Sequence, residues 1–185
     1  TTLRAGGAAE HLAECLTVDQ LVEAEAYARS RQLAITVLGS GSNVLPSDEG
    51  VSGLVIVNLA RSIRIARTGE VVADTGTAIQ ELFLKSAQNR LAGLEFAVGI
   101  PGTIGGALVS NAGAYRSSVS EFLTGIEIVW EGKRQWVDPA WMQFAYRDSI
   151  LRRPNAPKAI MLRVTMKLPT GDSKAIYDEA RDYQR

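Results

Sequence analysis

Histidine and cysteine are nearly missing from this chain: His11 and Cys15 are the only ones in 185 residues. One cysteine excludes an internal disulfide framework, and the pair cannot build a His/Cys zinc cage. No metal site is therefore expected, nor a histidine-dependent catalytic triad. Neither sign of charge is in excess, with Lys+Arg 20 against Asp+Glu 20. The broad positive field of nucleic-acid binders is absent, so no nucleic-acid partner is expected. No apolar run approaches the ~20 residues of a membrane-spanning helix, and no signal peptide opens the chain. The expectation is a soluble, cytoplasmic protein with no membrane partner. What the chain does have is apolar mass, 46% of its residues, ample for one core or for two small lobes sharing a cleft.

Charge is unevenly placed. Residues 1–30 carry Glu10, Glu14, Asp19, Glu23 and Glu25 against Arg4 and Arg29, whereas residues 146–167 carry Arg147, Arg152, Arg153, Lys158, Arg163 and Lys167 against Asp148 alone. A local basic stretch in a neutral protein suits a phosphate-bearing small molecule better than a polymer. Within it, Leu162 to Leu168 alternates like a half-buried strand, which puts Arg163 and Lys167 on its wet face.

Thr17-Val18-Asp19-Gln20 reads as a capping box opening a helix to about Gln32, with Val18, Leu21, Val22 and Ala28 on one face. Strands follow at Ile35–Leu38 and Leu54–Val57, which suggests a small parallel βαβ lobe over roughly residues 8–58. Hairpins are expected around Thr68-Gly69 and around Glu131-Gly132-Lys133. Thr77-Ala78-Ile79-Gln80 reads as a second capping box, for a helix burying Ile79, Leu82, Phe83 and Ala87. Asp138-Pro139 starts a short helix, and a strand over Ala159–Leu168 closes a larger, mostly antiparallel lobe. Ser173 to Arg185 reads as a charged helix leading elsewhere. Trp130, Trp136 and Trp141 lack interleaved basic residues and read as core or cleft lining rather than a stacking platform.

Two glycine-rich segments carry the chemistry. Gly39-Ser40-Gly41-Ser42-Asn43 follows a strand directly. Glycines let successive N–H groups converge on one anion, and Ser and Asn add side-chain donors. It is neither a Walker A loop nor a Rossmann fingerprint, since Val44 stands where the third glycine belongs. The second segment runs from Gly93 through Gly99-Ile100-Pro101-Gly102-Thr103-Ile104-Gly105-Gly106-Ala107 to Ser110-Asn111-Ala112-Gly113-Ala114. Pro101-Gly102 sets a turn, Thr103 can cap the helix after it, and a helix start presents N–H groups to phosphate. Two such loops on two lobes point to a diphosphate lying in the cleft between them.

Taken together, Thr2-Leu3-Arg4-Ala5-Gly6-Gly7, the Gly39–Asn43 loop, the Gly93–Ala107 block, Ser110-Asn111-Ala112-Gly113-Ala114-Tyr115 and Tyr146-Arg147-Asp148-Ser149 resemble the FAD-binding region of the UDP-N-acetylenolpyruvoylglucosamine reductases (UDP-N-acetylmuramate dehydrogenases, the MurB family) of bacterial cell-wall synthesis. The resemblance implies an α+β, two-lobed FAD-binding domain of the PCMH/vanillyl-alcohol-oxidase type, a small parallel βαβ lobe plus a larger, mostly antiparallel α+β lobe. Its implied boundaries are 1–58 and 59–169, with 170–185 starting a linker to a substrate-binding domain. FAD would be held non-covalently, with Gly39, Ser40, Gly41, Ser42 and Asn43 at the pyrophosphate. Gly102, Thr103, Gly105, Gly106, Asn111, Ala112, Gly113 and Ala114 would line the pyrophosphate and flavin side. NADPH would reduce the flavin, and the enolpyruvyl group of UDP-N-acetylglucosamine enolpyruvate would then take up hydride and a proton. Arg147 would be the active-site arginine at the substrate carboxylate, a task suited to a permanently charged fork, and Tyr146 beside it would touch substrate.

The family also has a third domain, with a proton-donating serine in a Gly-Ser-x-Phe-Lys-like motif and a glutamate near its C-terminus, and these residues contain neither. Ser149 belongs to the Tyr-Arg-Asp-Ser match and is not that serine, and Arg116-Ser117 stands where glycine is commoner. Two alternatives remain on the residues alone: an FAD-linked oxidase of the vanillyl-alcohol-oxidase type, or a non-catalytic flavin-binding module. His11 and Cys15 lie too early in the chain for the usual flavin tether of such oxidases and read as structural.

Overall fold

The computed structural model describes residues 1–184. Its first sheet is parallel, ordered β1-β3-β2, from β1 (Ala9–Cys15), β2 (Ile35–Leu38) and β3 (Val51–Asn58), with α1 (Val18–Ser30) crossing over between β1 and β2. The helix starts where expected: Thr17 accepts from the Gln20 amide and the Gln20 side chain returns to the N-cap. It ends two residues before Gln32, and Val22 is only half-buried while Ala24 and Glu25 are covered. β1 carries two glutamates and a histidine, which hides its strand period from the sequence.

The second sheet is five-stranded and antiparallel, ordered β4-β5-β10-β8-β9, from β4 (Ile63–Ile65), β5 (Glu70–Asp74), β8 (Leu123–Trp130), β9 (Lys133–Val137) and β10 (Ala159–Lys167). Between β5 and β8 run α2 (Ile79–Gln88), α3 (Ile104–Val109) and a ribbon of β6 (Gly113–Ala114) and β7 (Ser117–Ser118). The expected hairpins and the Asp138-capped turn at Pro139–Met142 are present. α4 (Ser173–Asp182) does not lead away. Asp172 caps it, and Ile176 and Ala180 enter the core beside Leu82 and Phe96. The expected helix end at Arg185 lies outside the described residues.

Three local expectations fail, the first two to long-range contacts. Thr77 does not cap α2, whose N-cap is Ala78 without a side-chain bond. The Thr77 carbonyl accepts from Ile104 N–H instead, and its hydroxyl reaches Ser62 O. Arg163 is not merely a wet-face residue. It bonds Asp74 at 2.9 Å and Glu127 at 3.3 Å, and Glu127 also holds Arg134 at 2.6 Å, which reaches Asp19 of α1 at 2.9 Å. Trp130 and Trp141 pack together half-buried, but Trp136 is 51% exposed and lines neither core nor cleft.

α1 joins the two sheets. Val18, Leu21 and Ala28 share one buried cluster with Leu54 and Ile56 of the first sheet and with Val129, Ile160 and Leu162 of the second. No helix among the described residues is long and apolar enough to cross a membrane.

Candidate cofactor and substrate cleft

The end of β2 and the start of α3 meet between the two sheets, and glycines permit it. A Cβ on Gly39 would lie 2.4 Å from Thr103 Oγ1, so a larger residue would push the Thr103 side chain out of its place at the crossing. Gly102 has φ +119 and turns the second loop towards the first, where Ser42 Oγ donates to Pro101 O. Ile79 N–H bonds Gly102 O and Gly105 N–H bonds Thr75 O, which pins the crossing to the second lobe.

The two loops wall a cavity of about 500 Å³ lined by Gly39 to Val44, Ile100 to Thr103, Gly106, Ala107, Val109, Ser110, Ala112, Arg147 and Arg152. A further cavity of about 320 Å³ adjoins it through Val37, Gly39, Thr103, Gly106 and Val109, and runs on along Gly105, Asn58, Thr75, Pro157, Lys158 and Ile160. Together they form one elongated groove between the lobes.

The donors are divided differently from expectation. Ile104, Gly105 and Gly106 N–H groups at the start of α3 are engaged by Thr77 O, Thr75 O and Thr103 Oγ1. The helix start is therefore not an anion site. Ser40, Gly41, Ser42 and Asn43 N–H groups have no acceptor among the described residues, and Gly41 is held at φ +65 by Thr2 N–H on its carbonyl. Those N–H groups can converge on an oxyanion.

Gly39 to Asn43, Gly102, Thr103, Gly105, Gly106, Ala112 and Arg147 thus come together along the groove. Asn111, Gly113, Ala114 and Tyr146 do not line it. Asn111, at φ +43, donates through Nδ2 to Ala145 O at 3.0 Å, and its Oδ1 is buried without a partner among the described residues. Gly113 and Ala114 form the ribbon. Ala145–Asp148 is a two-residue turn closed by paired backbone bonds, with Tyr146 at its tip 91% exposed and Arg147 at φ +54. Buried Ser149 anchors it through Oγ to Val109 O at 2.7 Å. A non-glycine residue in this backbone region costs on the order of 1 kcal/mol.

Sequence reasoning placed Arg152 and Lys158 in the basic stretch without assigning either to the cleft, and it missed Asn58 and Thr75. The last two are a buried pair, with Asn58 Nδ2 on Thr75 Oγ1 at 2.9 Å at the seam of the sheets. Their only signal was position, each at the end of a strand. His11 lines a separate small cavity with Leu12 and Tyr27, and Cys15 is buried in the α1 cluster. Neither faces the groove.

Residues 9–136 match the FAD binding domain family. The chain belongs to this family. Among curated relatives of this FAD-binding domain, the UDP-N-acetylenolpyruvoylglucosamine reductase of Rubrobacter xylanophilus is 38% identical over 186 residues, covering 100% of this chain and 62% of the relative. The crystal structure of UDP-N-acetylenolpyruvylglucosamine reductase (MurB) from Thermus caldophilus superposes with TM-score 0.78 at 30% identity, over 94% of this chain and 61% of that one. Cholesterol oxidase from Brevibacterium sterolicum shares the fold, with TM-score 0.61 at 16% identity, over 86% of this chain and 34% of that one. The resemblance to the reductases therefore spans essentially the whole chain, which covers under two thirds of their length. The two-lobed α+β fold of the FAD-binding oxidases and reductases is the fold of this chain.

Proposed function

We propose that this chain is the FAD-binding portion of an NADPH-dependent reductase that converts UDP-N-acetylglucosamine enolpyruvate to UDP-N-acetylmuramate in the cytoplasm, for bacterial peptidoglycan. Residues 1–58 and 59–169 form its two cofactor lobes, and 170–185 precede a substrate-binding domain, with α4 packed against the core of the second lobe. The observation that carries the reading is the groove: unengaged N–H groups of Ser40 to Asn43 at the close Gly39–Thr103 crossing, with Arg147 on the same wall. Bound FAD supplies a two-electron carrier between NADPH and the enolpyruvyl double bond. The chain's own residues do the rest. Ser40 to Asn43 hold the diphosphate, and Gly102, Thr103 and Gly106 let it lie close to the backbone. Gly105 and Ala112 line the groove, Asn111 holds the turn that carries Arg147 through Ala145 O, and Gly113 and Ala114 form the ribbon after α3. Arg147 holds the substrate carboxylate as charge builds beside it, and Tyr146 at the tip of the turn meets the incoming sugar nucleotide.

The displaced positions of His11 and Cys15 favour a non-covalent flavin over the tether of the oxidases. The test is an absorption spectrum of the purified chain before and after acid precipitation, then with NADPH under anaerobic conditions. Yellow protein that releases all its FAD into the supernatant is expected. Colourless protein that ignores added FAD sinks the reading, and flavin that stays with the precipitate restores the tethered oxidase.

A further inference from the structure

Arg147 is held in an unusual backbone conformation, φ +54, at a turn whose base is fixed by two bonds already described, Asn111 on Ala145 O and Ser149 on Val109 O. Neither bond touches Arg147. Arg152 does: it ends the short helical turn Ile150–Arg152, lines the same cavity, and donates through Nη1 to the carbonyl oxygen of Arg147. The adjacent Arg153 is taken up by Asp148 at 3.5 Å and by Gln143 O at 3.0 Å. No carboxylate among the described residues pairs with Arg147 or Arg152.

We propose that Arg152 is a positioning residue for Arg147. Its guanidinium holds, through the peptide carbonyl, the left-handed backbone that keeps Arg147 on the wall of the groove. The inference rests on the reading of Arg147 as the residue that meets substrate. Three physical points support it. A residue with a Cβ pays free energy to sit at positive φ, so contacts that hold the turn count for more there. A bond from a charged donor to a carbonyl is about twice as strong as a neutral one. A guanidinium offers five donors in a fixed fork, so one can be committed to the carbonyl while the group remains cationic in the groove.

The experiment is a double-mutant cycle in the whole FAD-loaded reductase, with Arg147→Ala, Arg152→Ala, the double variant and Arg152→Lys. Arg152→Ala is expected to lower kcat/KM for the enolpyruvyl substrate by up to about 100-fold, the cost of misplacing a substrate-holding group. FAD content and thermal midpoint should stay as in the parent. In the Arg147→Ala background the same change should cost nothing further, because the two act as one unit. Arg152→Lys, which keeps a cationic donor for the carbonyl, should recover most of the activity. Additive losses, no recovery by lysine, or a loss that follows flavin content or thermal midpoint each overturn the proposal. If Arg147→Ala leaves turnover unchanged, it is the reading of Arg147 that fails. Positioning is then judged by amide hydrogen exchange at Ala145 and Asp148, whose mutual bonds close the turn. Arg152→Ala must speed that exchange, and unchanged exchange overturns positioning as well.

Discussion

Cys15 shows how placement decides the chemistry of a single side chain. It is 3% exposed, its Sγ lies 3.5 Å from Gln20 O, and burial, with Glu23 adding to it, pushes the thiol pKa up. The thiolate is the reactive form, so native protein at neutral pH should resist alkylation and react on unfolding; prompt labelling of the native chain would contradict this. Tyr183 is also perturbed. Its hydroxyl bonds Glu179, its ring stacks on Tyr115 at 3.8 Å and 4°, and its pKa is pushed up to about 12, chiefly by the bond to Glu179. The folded value lies above the ordinary 10.0. The contact therefore contributes fully below pH 10 and is lost as pH climbs from 10 towards 12. Near-ultraviolet titration should show one of the five tyrosines ionising late, and Glu179→Gln should bring it forward. A titration with no late phenol would mean that the contact does not persist in solution.

At the level of elements, the same four-residue spacing gives two different results. Thr17-x-x-Gln20 caps α1, while Thr77-x-x-Gln80 caps nothing. Thr17 is exposed and free to choose its local bond, whereas Thr77 is wholly buried under the α3 crossing, which takes its carbonyl. Thr103 does cap α3, by accepting from Gly106 N–H at 3.3 Å, and the same hydroxyl faces Gly39. Thr103→Ala should cost about 1 kcal/mol in chemical denaturation, the usual value of a lost cap. Gly39→Val should destabilise the crossing and leave the chain unable to hold FAD. A Gly39→Val variant that stays yellow and fully loaded would show that the two loops need not touch.

For the molecule as a whole, the lobes are joined by the apolar faces of α1 and by the charge chain Asp19–Arg134–Glu127–Arg163–Asp74. Its middle and its end differ. Glu127 is 6% exposed and holds two arginines, so Glu127→Ala should cost up to about 3 kcal/mol by stranding partly buried cations. Asp19 is exposed, and Asp19→Ala should cost less than about 1 kcal/mol, falling further with added salt. Equal costs at the two positions would show that burial does not set the strength of this chain.

Features that depend on neighbours a few residues apart could be read directly from the chain. The period of β10, the α1 cap, the hairpin turns and the two glycine loops were all legible because dihedral preference and local hydrogen bonding act within a turn or two. The family followed from the same motifs in order. The tertiary structure alone decided which donors remained available. The glycine loop after β2 leaves its N–H groups without an acceptor among the described residues, while the start of α3 gives its own to Thr75 and Thr77 across the crossing. It alone separated Arg147 in the groove from Tyr146 at the exposed tip, and it brought Arg152 back onto Arg147. Such assignments rest on partners far away in the chain, and no local spacing encodes which of several equivalent N–H groups a distant carbonyl will claim.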